Sequence, residues 1–195
     1  MFDPSLPLSF VTSNPHKFEE ASFTAQSFNL SLNHAKQKYS EVQADSLEEV
    51  AMSSALNLLG SIDPPFFLED AGLFIPKLNG FPGPYSSYVL QTLGNDGILS
   101  LLSPFPDQSD RQAYFLSVVA FVSDEGVRLF KGRVDGFISA SARSKGHGFG
   151  FDPIFIPNET PDFTFAELIP SVKNDLSHRS KALTSLFSYL STVQS

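Results

Sequence analysis

The sequence contains no cysteine and no tryptophan, and its 13 Lys and Arg are outnumbered by 21 Asp and Glu. Without cysteine there is no disulfide framework, no thiolate-ligated zinc or iron–sulfur centre and no thiol nucleophile, and the lack of disulfides fits a reducing cytosol. The shortage of cations leaves a formal charge of −8, which argues against a duplex nucleic-acid binder held by phosphate neutralisation. Long apolar runs are missing too: none approaches the roughly 18 residues of a membrane span. The stretch from Met1 to Pro7 carries Asp3 and two prolines instead of a basic start and an apolar core. These absences predict a soluble, uncleaved, cytoplasmic protein with no nucleic-acid polymer and no membrane as partner. His16, His34, His147 and His178 show no short metal-ligand spacing, which argues against zinc. Nor is there a Gly-x-Ser-x-Gly elbow, a Walker motif or a Gly-x-Gly-x-x-Gly turn.

What is present suffices for a folded core. Of the 195 residues 42 % are apolar, which excludes an intrinsically disordered chain; the length predicts one domain over 1–195, or one split into two lobes. Leu6 to Val11 reads as a first strand, and Asn14 before Pro15 reads as an N-cap with proline at the first helical position. The stripe Phe18, Ala21, Ala25 and Phe28 then predicts a helix with Lys17 in its first turn. A strand is expected near His34 to Tyr39 and a helix over Leu47 to Leu59, stopped by Gly60 and the Pro64-Pro65 pair. Phe66 to Leu68 reads as a short buried strand with Glu69 and Asp70 at its carboxyl end, and Leu73 to Ile75 resumes the apolar pattern. Gly80 to Pro84 is a shaped loop, and Tyr85 to Leu102 two short helices. Gln112 to Ser123 and Val127 to Phe137 form a hairpin through Asp124-Glu125-Gly126. Phe151 to Ile156 reads as a further strand, and Leu183, Leu186, Phe187, Leu190 and Val193 mark a C-terminal helix capped by Ser177. Helices and strands alternating early, with hairpins later, predict an α/β fold with a mixed sheet.

Four segments can carry chemistry. In Thr12-Ser13-Asn14-Pro15-His16-Lys17, helix-terminal amides, neutral donors and one lysine form a group able to hold phosphate; an ordinary capped helix accounts for the same spacing. Glu69 and Asp70, adjacent on a strand, point to opposite sides, so one can ligate a hard cation while the other takes a proton from water; a solvated turn fits as well. Glu41 is a third candidate oxygen ligand. In Gly148-Phe149-Gly150-Phe151-Asp152-Pro153, glycines bring the backbone close to something flat. Phe149 offers a stacking shelf, and Asp152, held extended before proline, can accept from a base edge. Lys173-Asn174-Asp175-Leu176-Ser177-His178-Arg179 sets cations in a first helical turn, against the helix dipole. That placement calls for an anionic or carbonyl-bearing partner, or for a carboxylate on the protein itself.

Taken in order, these motifs resemble the inosine triphosphate pyrophosphatase family, also called the Ham1 family, from Phe10 to about Leu190. Thr12-Ser13-Asn14-Pro15-His16-Lys17 resembles its T-x-N-x-x-K element, Glu69-Asp70-Ala71-Gly72-Leu73 its acidic strand end, and Gly80-Phe81-Pro82-Gly83 its G-x-P-G loop. Gly148 to Phe155, and Phe165-Ala166-Glu167 followed by Lys173-Asn174 and Ser177-His178-Arg179, complete the set. Tyr39 to Gln43 and Tyr85-Ser86-Ser87-Tyr88 are most similar to the archaeal branch. One departure is Glu49-Val50-Ala51-Met52-Ser53-Ser54-Ala55, where many bacterial members carry E-N-A-x-x-K-A.

The resemblance implies an elongated mixed central sheet with flanking helices, and two lobes with a cleft between them. It implies Mg²⁺-dependent hydrolysis of ITP, dITP and XTP to the monophosphate and pyrophosphate, by a homodimer. Carried over to this chain, Thr12, Ser13, Asn14 and Lys17 hold the triphosphate, and Glu41 with Glu69 or Asp70 holds the metal, with Asp70 also the catalytic base. Phe149, Gly150 and Phe151 line the base, Asp152, His178 and Arg179 read its edge, and Lys173 meets phosphate or ribose. Two other readings stay open: a Maf-type pyrophosphatase, whose S-x-S-P-R-R opening is absent here, and a catalytically silent nucleotide-binding module.

Overall fold

The computed structural model describes residues 6–37, 39 and 42–192. Six strands, β1 (Leu8–Val11), β2 (Leu32–Ala35), β3 (Phe66–Phe74), β4 (Gln112–Ser123), β5 (Gly126–Ile138) and β6 (Phe155–Pro157), form one sheet in the order β2-β1-β3-β4-β5-β6. β1 runs parallel to β2 and β3, and β6 antiparallel to β5, so the sheet is mixed, as expected. The helices are α1 (Pro15–Gln26), α2 (Leu47–Leu58), α3 (Ser86–Thr92), α4 (Gly94–Leu101), α5 (Pro170–Leu176) and α6 (His178–Thr192).

Local chemistry accounts for most boundaries. Asn14 is extended and its side-chain oxygen accepts from the His16 and Lys17 amides, with Pro15 at the first helical position, so α1 starts where the cap predicts. Ser46 caps α2 by accepting from Glu49 N–H. One residue separates α3 from α4, which opens with Gly94 at φ +65°. β4 and β5 are joined through Asp124 and Glu125 alone, which obliges them to run antiparallel.

Three expectations are corrected. β2 occupies Leu32–Ala35, earlier than the predicted 34–39, because parallel pairing matches Leu8 to Leu32 and Val11 to Ala35 and β1 offers only those four residues. β3 continues through Glu69, Asp70, Ala71 and Gly72 to Phe74, so the two carboxylates lie mid-strand; they sit just past the last β1 pairing, Val11 with Leu68. Residues Asp152–Ile154 form a 3₁₀ turn in place of the predicted strand start, and only Phe155–Pro157 pairs with β5. Pro153 has no N–H to give a ladder, and Asp152 N–H donates back to the Phe149 carbonyl. The apolar pattern did not predict α5.

The chain divides into two compact units, and β3, β4 and β5 each contribute residues to both. Unit 1 comprises residues 1–70, 117–132 and 178–195; unit 2 comprises 71–116 and 133–177. Unit 1 packs Phe10, Phe67, Phe121 and Ala21 against Leu183, Leu186 and Phe187 of α6. The Phe10 and Phe67 rings stack with centroids 4.5 Å apart, and the Phe67 edge meets Phe187 at 84°. Unit 2 has its own core around Leu73, Phe115, Phe151, Phe155 and Phe165. There the shaped loop is clamped onto β3. Ser86 Oγ donates to the Gly83 carbonyl at 2.7 Å and accepts from Leu73 N–H at 2.8 Å. A Cβ on Gly72 would lie 2.4 Å from the Gly83 carbonyl oxygen, so the approach requires glycine. Gly72→Ala is therefore expected to cost about 1–3 kcal/mol through overpacking, read as a lower urea midpoint; an unchanged midpoint would show that the loop is not held this way.

Candidate active site

In unit 1 the site is built where β1 ends. The turn after Val11 is tied down from several sides. Thr12 N–H donates to the Ala35 carbonyl at 3.2 Å, Asn14 N–H donates to Thr12 Oγ1 at 3.1 Å, and His34 Nε2 donates to the Thr12 carbonyl at 2.9 Å. The His34 ring is itself stacked on Phe18, centroids 4.2 Å apart and 6° from parallel. Thr12 is buried, Ser13 exposed, and Asn14 and Lys17 half-buried. Lys17 leaves the first turn of α1 to reach β3, its Nζ lying 2.9 Å from Glu69 Oε2 and donating to the Glu69 carbonyl at 3.2 Å.

Glu69 is 3 % exposed and is met by three donors. Lys17 takes Oε2, Ser117 Oγ donates to Oε1 at 2.7 Å, and Arg179 Nε lies 3.3 Å from Oε1. Burial alone would raise the carboxyl pKa. The Arg179 and Lys17 charges, with hydrogen bonds from Lys17 and Ser117, outweigh that and hold it well below the usual carboxylate range. Arg179, also 3 % exposed, pairs in addition with Glu20 of α1. Burial would lower its pKa, yet the Glu69 and Glu20 charges raise it. The anion expected opposite a cation in the first turn of α6 is thus supplied by the protein. β5 approaches that turn closely, since a Cβ on Gly132 would lie 2.1 Å from the His178 carbonyl oxygen. His178 is buried.

Asp70 follows Glu69 on β3 and is half-exposed where Glu69 is buried, as strand alternation dictates. Among the described residues no group of three or more His, Asp and Glu side chains is arranged to hold a metal ion. Glu41 lies outside the described residues. Glu69 does not fit the ligand role expected for it, because both of its oxygens face cations. Asp70 does fit, since Mg²⁺ is commonly held through one or two carboxylates together with substrate phosphates and water.

Unit 2 assembles the glycine-rich segment with α5. Lys173, buried in α5, brings Nζ 2.7 Å from Asp152 Oδ2 and 4.5 Å from the centroid of the Phe149 ring. Phe149 N–H donates to the same Asp152 oxygen at 2.7 Å. Asp152 therefore anchors the aromatic shelf through both the backbone and Lys173, and it does so from a turn rather than the extended form expected. Gly148, at φ +80°, is required beside it, because a Cβ there would lie 2.7 Å from Asp152 Oδ2. The Gly150 carbonyl accepts from Asn95 Nδ2 at 3.2 Å. Phe149 is half-buried, whereas Phe151 is 4 % exposed and belongs to the unit 2 core. The Phe151 side chain therefore belongs to the core and does not line a ligand as expected. A groove of about 430 Å³ in unit 2, lined by Tyr114, Arg133 and Asn158 among others, contains none of the residues singled out from sequence.

Two members of the unit 1 group escape sequence reading. Glu20 stands three residues after Lys17, one turn along α1, a spacing that puts it near the same face. Ser117 is the one hydroxyl in the apolar run from Phe115 to Val122, and that isolation is its signal.

The match to a family model covers residues 8–189, and the model describes the Ham1 family. This chain belongs to the Ham1 family. Among the archaeal relatives of this Ham1 chain is the dITP/XTP pyrophosphatase of Thermococcus kodakarensis, 49 % identical over 183 residues that cover 94 % of this chain and 96 % of the relative. Another, the dITP/XTP pyrophosphatase of Pyrococcus horikoshii, is 45 % identical, with 95 % and 97 % covered. Of solved structures, a HAM1 protein from Coxiella burnetii matches with TM-score 0.80 at 28 % identity over 95 % of this chain and 99 % of that one. A nucleoside-triphosphatase / dITP/XTP pyrophosphatase from Mycobacterium abscessus matches with TM-score 0.70 at 31 % identity, over 93 % of this chain and 97 % of that one.

Because the Glu69 pKa is depressed by folding, its stabilisation is present above the unfolded carboxylate value and is lost as pH falls below it. Glu69→Gln is expected to destabilise the chain by about 3–5 kcal/mol at pH 7, since it breaks the buried ion pair with Arg179 and removes the carboxylate facing Lys17, and to flatten the acid limb of the stability curve. A Glu69→Gln variant as stable as the parent at pH 7 by chemical denaturation would show that the pairs are not structural.

Proposed function

We propose that this Ham1 chain hydrolyses deaminated purine nucleoside triphosphates, ITP, dITP and XTP, to the monophosphate and pyrophosphate. What supports the substrate class is the name dITP/XTP pyrophosphatase carried by relatives up to 49 % identical over nearly the whole chain. The observation that carries the chemistry is the pair Glu69 and Asp70, one buried beneath two cations and the other half-exposed beside it.

Water attacking the α-phosphorus must approach about four negative charges, so preorganised cations and donors dominate the barrier. Lys17, fixed by Glu69, presents one such charge at the head of α1, where helix amides also favour an anion. The Asn14 oxygen is engaged as a cap, so its amide nitrogen is the group that would meet phosphate, beside the Thr12 and Ser13 hydroxyls. Asp70 aligns the water and takes its proton. A Mg²⁺ ion held by Asp70 and phosphate oxygens would supply further charge neutralisation at the leaving pyrophosphate.

For the base, the exposed part of the Phe149 ring serves as a stacking surface, held from the protein side by Lys173 and Asp152. A 6-carbonyl accepts from a hydrogen-bond donor, whereas the adenine 6-amino group faces it donor to donor; a mispaired buried group costs about 1–3 kcal/mol, roughly ten- to a hundredfold. Arg179, held between two carboxylates, acts in this reading by positioning Glu69. The family resemblance and the absence of cysteine support a homodimer in the cytoplasm.

The decisive assay incubates the protein with Mg²⁺ and a panel of triphosphates and resolves pyrophosphate from phosphate. Selective pyrophosphate release from ITP, dITP and XTP is expected; release only from pyrimidine or modified triphosphates would favour a Maf-type activity, and no release a silent binding module. Asp70→Asn should abolish turnover while nucleotide binding stays within a few fold, and unchanged turnover would remove Asp70 from its role. Phe149→Ala should raise KM for ITP by roughly five- to a hundredfold, the range for one base stacked on an aromatic ring, with little change in kcat.

A further inference from the structure

We propose that Ser117 is a positioning residue for Lys17, acting through Glu69. Ser117 is fully buried on β4, in a run whose other members from Phe115 to Val122 are all apolar. A lone hydroxyl there is retained only if it is satisfied, and its partner is Glu69 Oε1 at 2.7 Å.

The geometry says what this bond does. A guanidinium beside a carboxylate prefers the fork arrangement, in which two N–H groups meet both oxygens. Arg179 does not have that arrangement with Glu69: its Nε lies 3.3 Å from Oε1, while Oε2 is turned to Lys17 Nζ at 2.9 Å. The Ser117 hydroxyl takes one lone pair of Oε1 and so fixes the carboxylate's rotation. That rotation aims Oε2 at the lysine of the phosphate-binding turn. Without the hydroxyl, the carboxylate is free to swing both oxygens onto Arg179, and the Lys17 ammonium loses its ion pair with Oε2, keeping only its hydrogen bond to the Glu69 carbonyl. Ser117 touches neither phosphate nor water in this scheme. The effect on Lys17 is independent of the activity; the kinetic consequence rests on the pyrophosphohydrolase reading above.

The test compares the parent chain with Ser117→Ala and Ser117→Cys, the second keeping the volume while weakening the donor. Amine labelling by formaldehyde and borohydride, followed by peptide mass spectrometry, reads Lys17 against the exposed Lys131 as internal standard. Labelling of Lys17 is expected to rise severalfold in the Ala variant and by less in the Cys variant, with Lys131 unchanged. In the same proteins KM for ITP should rise severalfold while the thermal midpoint of the Cys variant stays close to the parent. Lys17 labelling equal to the parent in both variants would overturn the proposal. So would an equal rise at Lys17 and Lys131, which marks general loosening. If no variant, nor the parent, hydrolyses ITP, the pyrophosphohydrolase reading fails while the labelling still decides the role of Ser117.

Discussion

Burying a carboxylate is costly unless cations meet it, and unit 1 is organised around meeting one. Glu69 is buried between a lysine from α1 and an arginine from α6, and that arginine takes a second carboxylate from α1. Two cations and two carboxylates drawn from three elements thus balance within one cluster. Removing either buried member, Glu69 or Arg179, breaks a buried ion pair, a penalty of several kcal/mol, so α1, β3 and α6 are held in register by electrostatics as well as by the Phe10, Phe67 and Phe187 cluster. The same cluster sets the lysine ammonium at the head of α1, where the helix end already favours an anion.

An acidic chain handling a triphosphate is less paradoxical in this light. The formal charge of −8 is a property of the whole surface, while binding depends on the few cations that converge. Lys17 and Arg179 converge on Glu69 in unit 1, and in unit 2 Lys173 secures both the Asp152 carboxylate and the Phe149 ring. In both units a lysine or arginine is first satisfied by a carboxylate of the protein. Each cluster is therefore charge-paired within its own unit, a preorganised arrangement rather than bare charge.

Legibility differs by residue type. Asn14 with Pro15 announces α1, the Asp124-Glu125-Gly126 turn announces the hairpin, and the breakers in Gly80 to Pro84 announce the loop, because each device acts over a few neighbouring residues. The carboxylate pair reads as a strand end since Ala71-Gly72 looks like a turn; in fact Gly72 is there to let the Gly83 carbonyl approach, a demand from eleven residues away. Asp152 reads as extended from its proline, but a hydrogen bond to Phe149 and an ion pair with Lys173 fold it into a turn. Ser117 and Glu20 carry no motif at all.

By itself the sequence determined the alternation of elements, the phosphate-type turn, the neighbouring carboxylates and the kinship those motifs express, all of which depend on contacts between residues close in the chain. Which carboxylate is buried and which half-exposed, that Arg179 faces Glu20 and Glu69, and that Lys173 supports Phe149 were decided only by the tertiary structure. Those pairings join positions from 21 to 159 residues apart. Their energies depend on desolvation and charge at close range, and no local pattern encodes either.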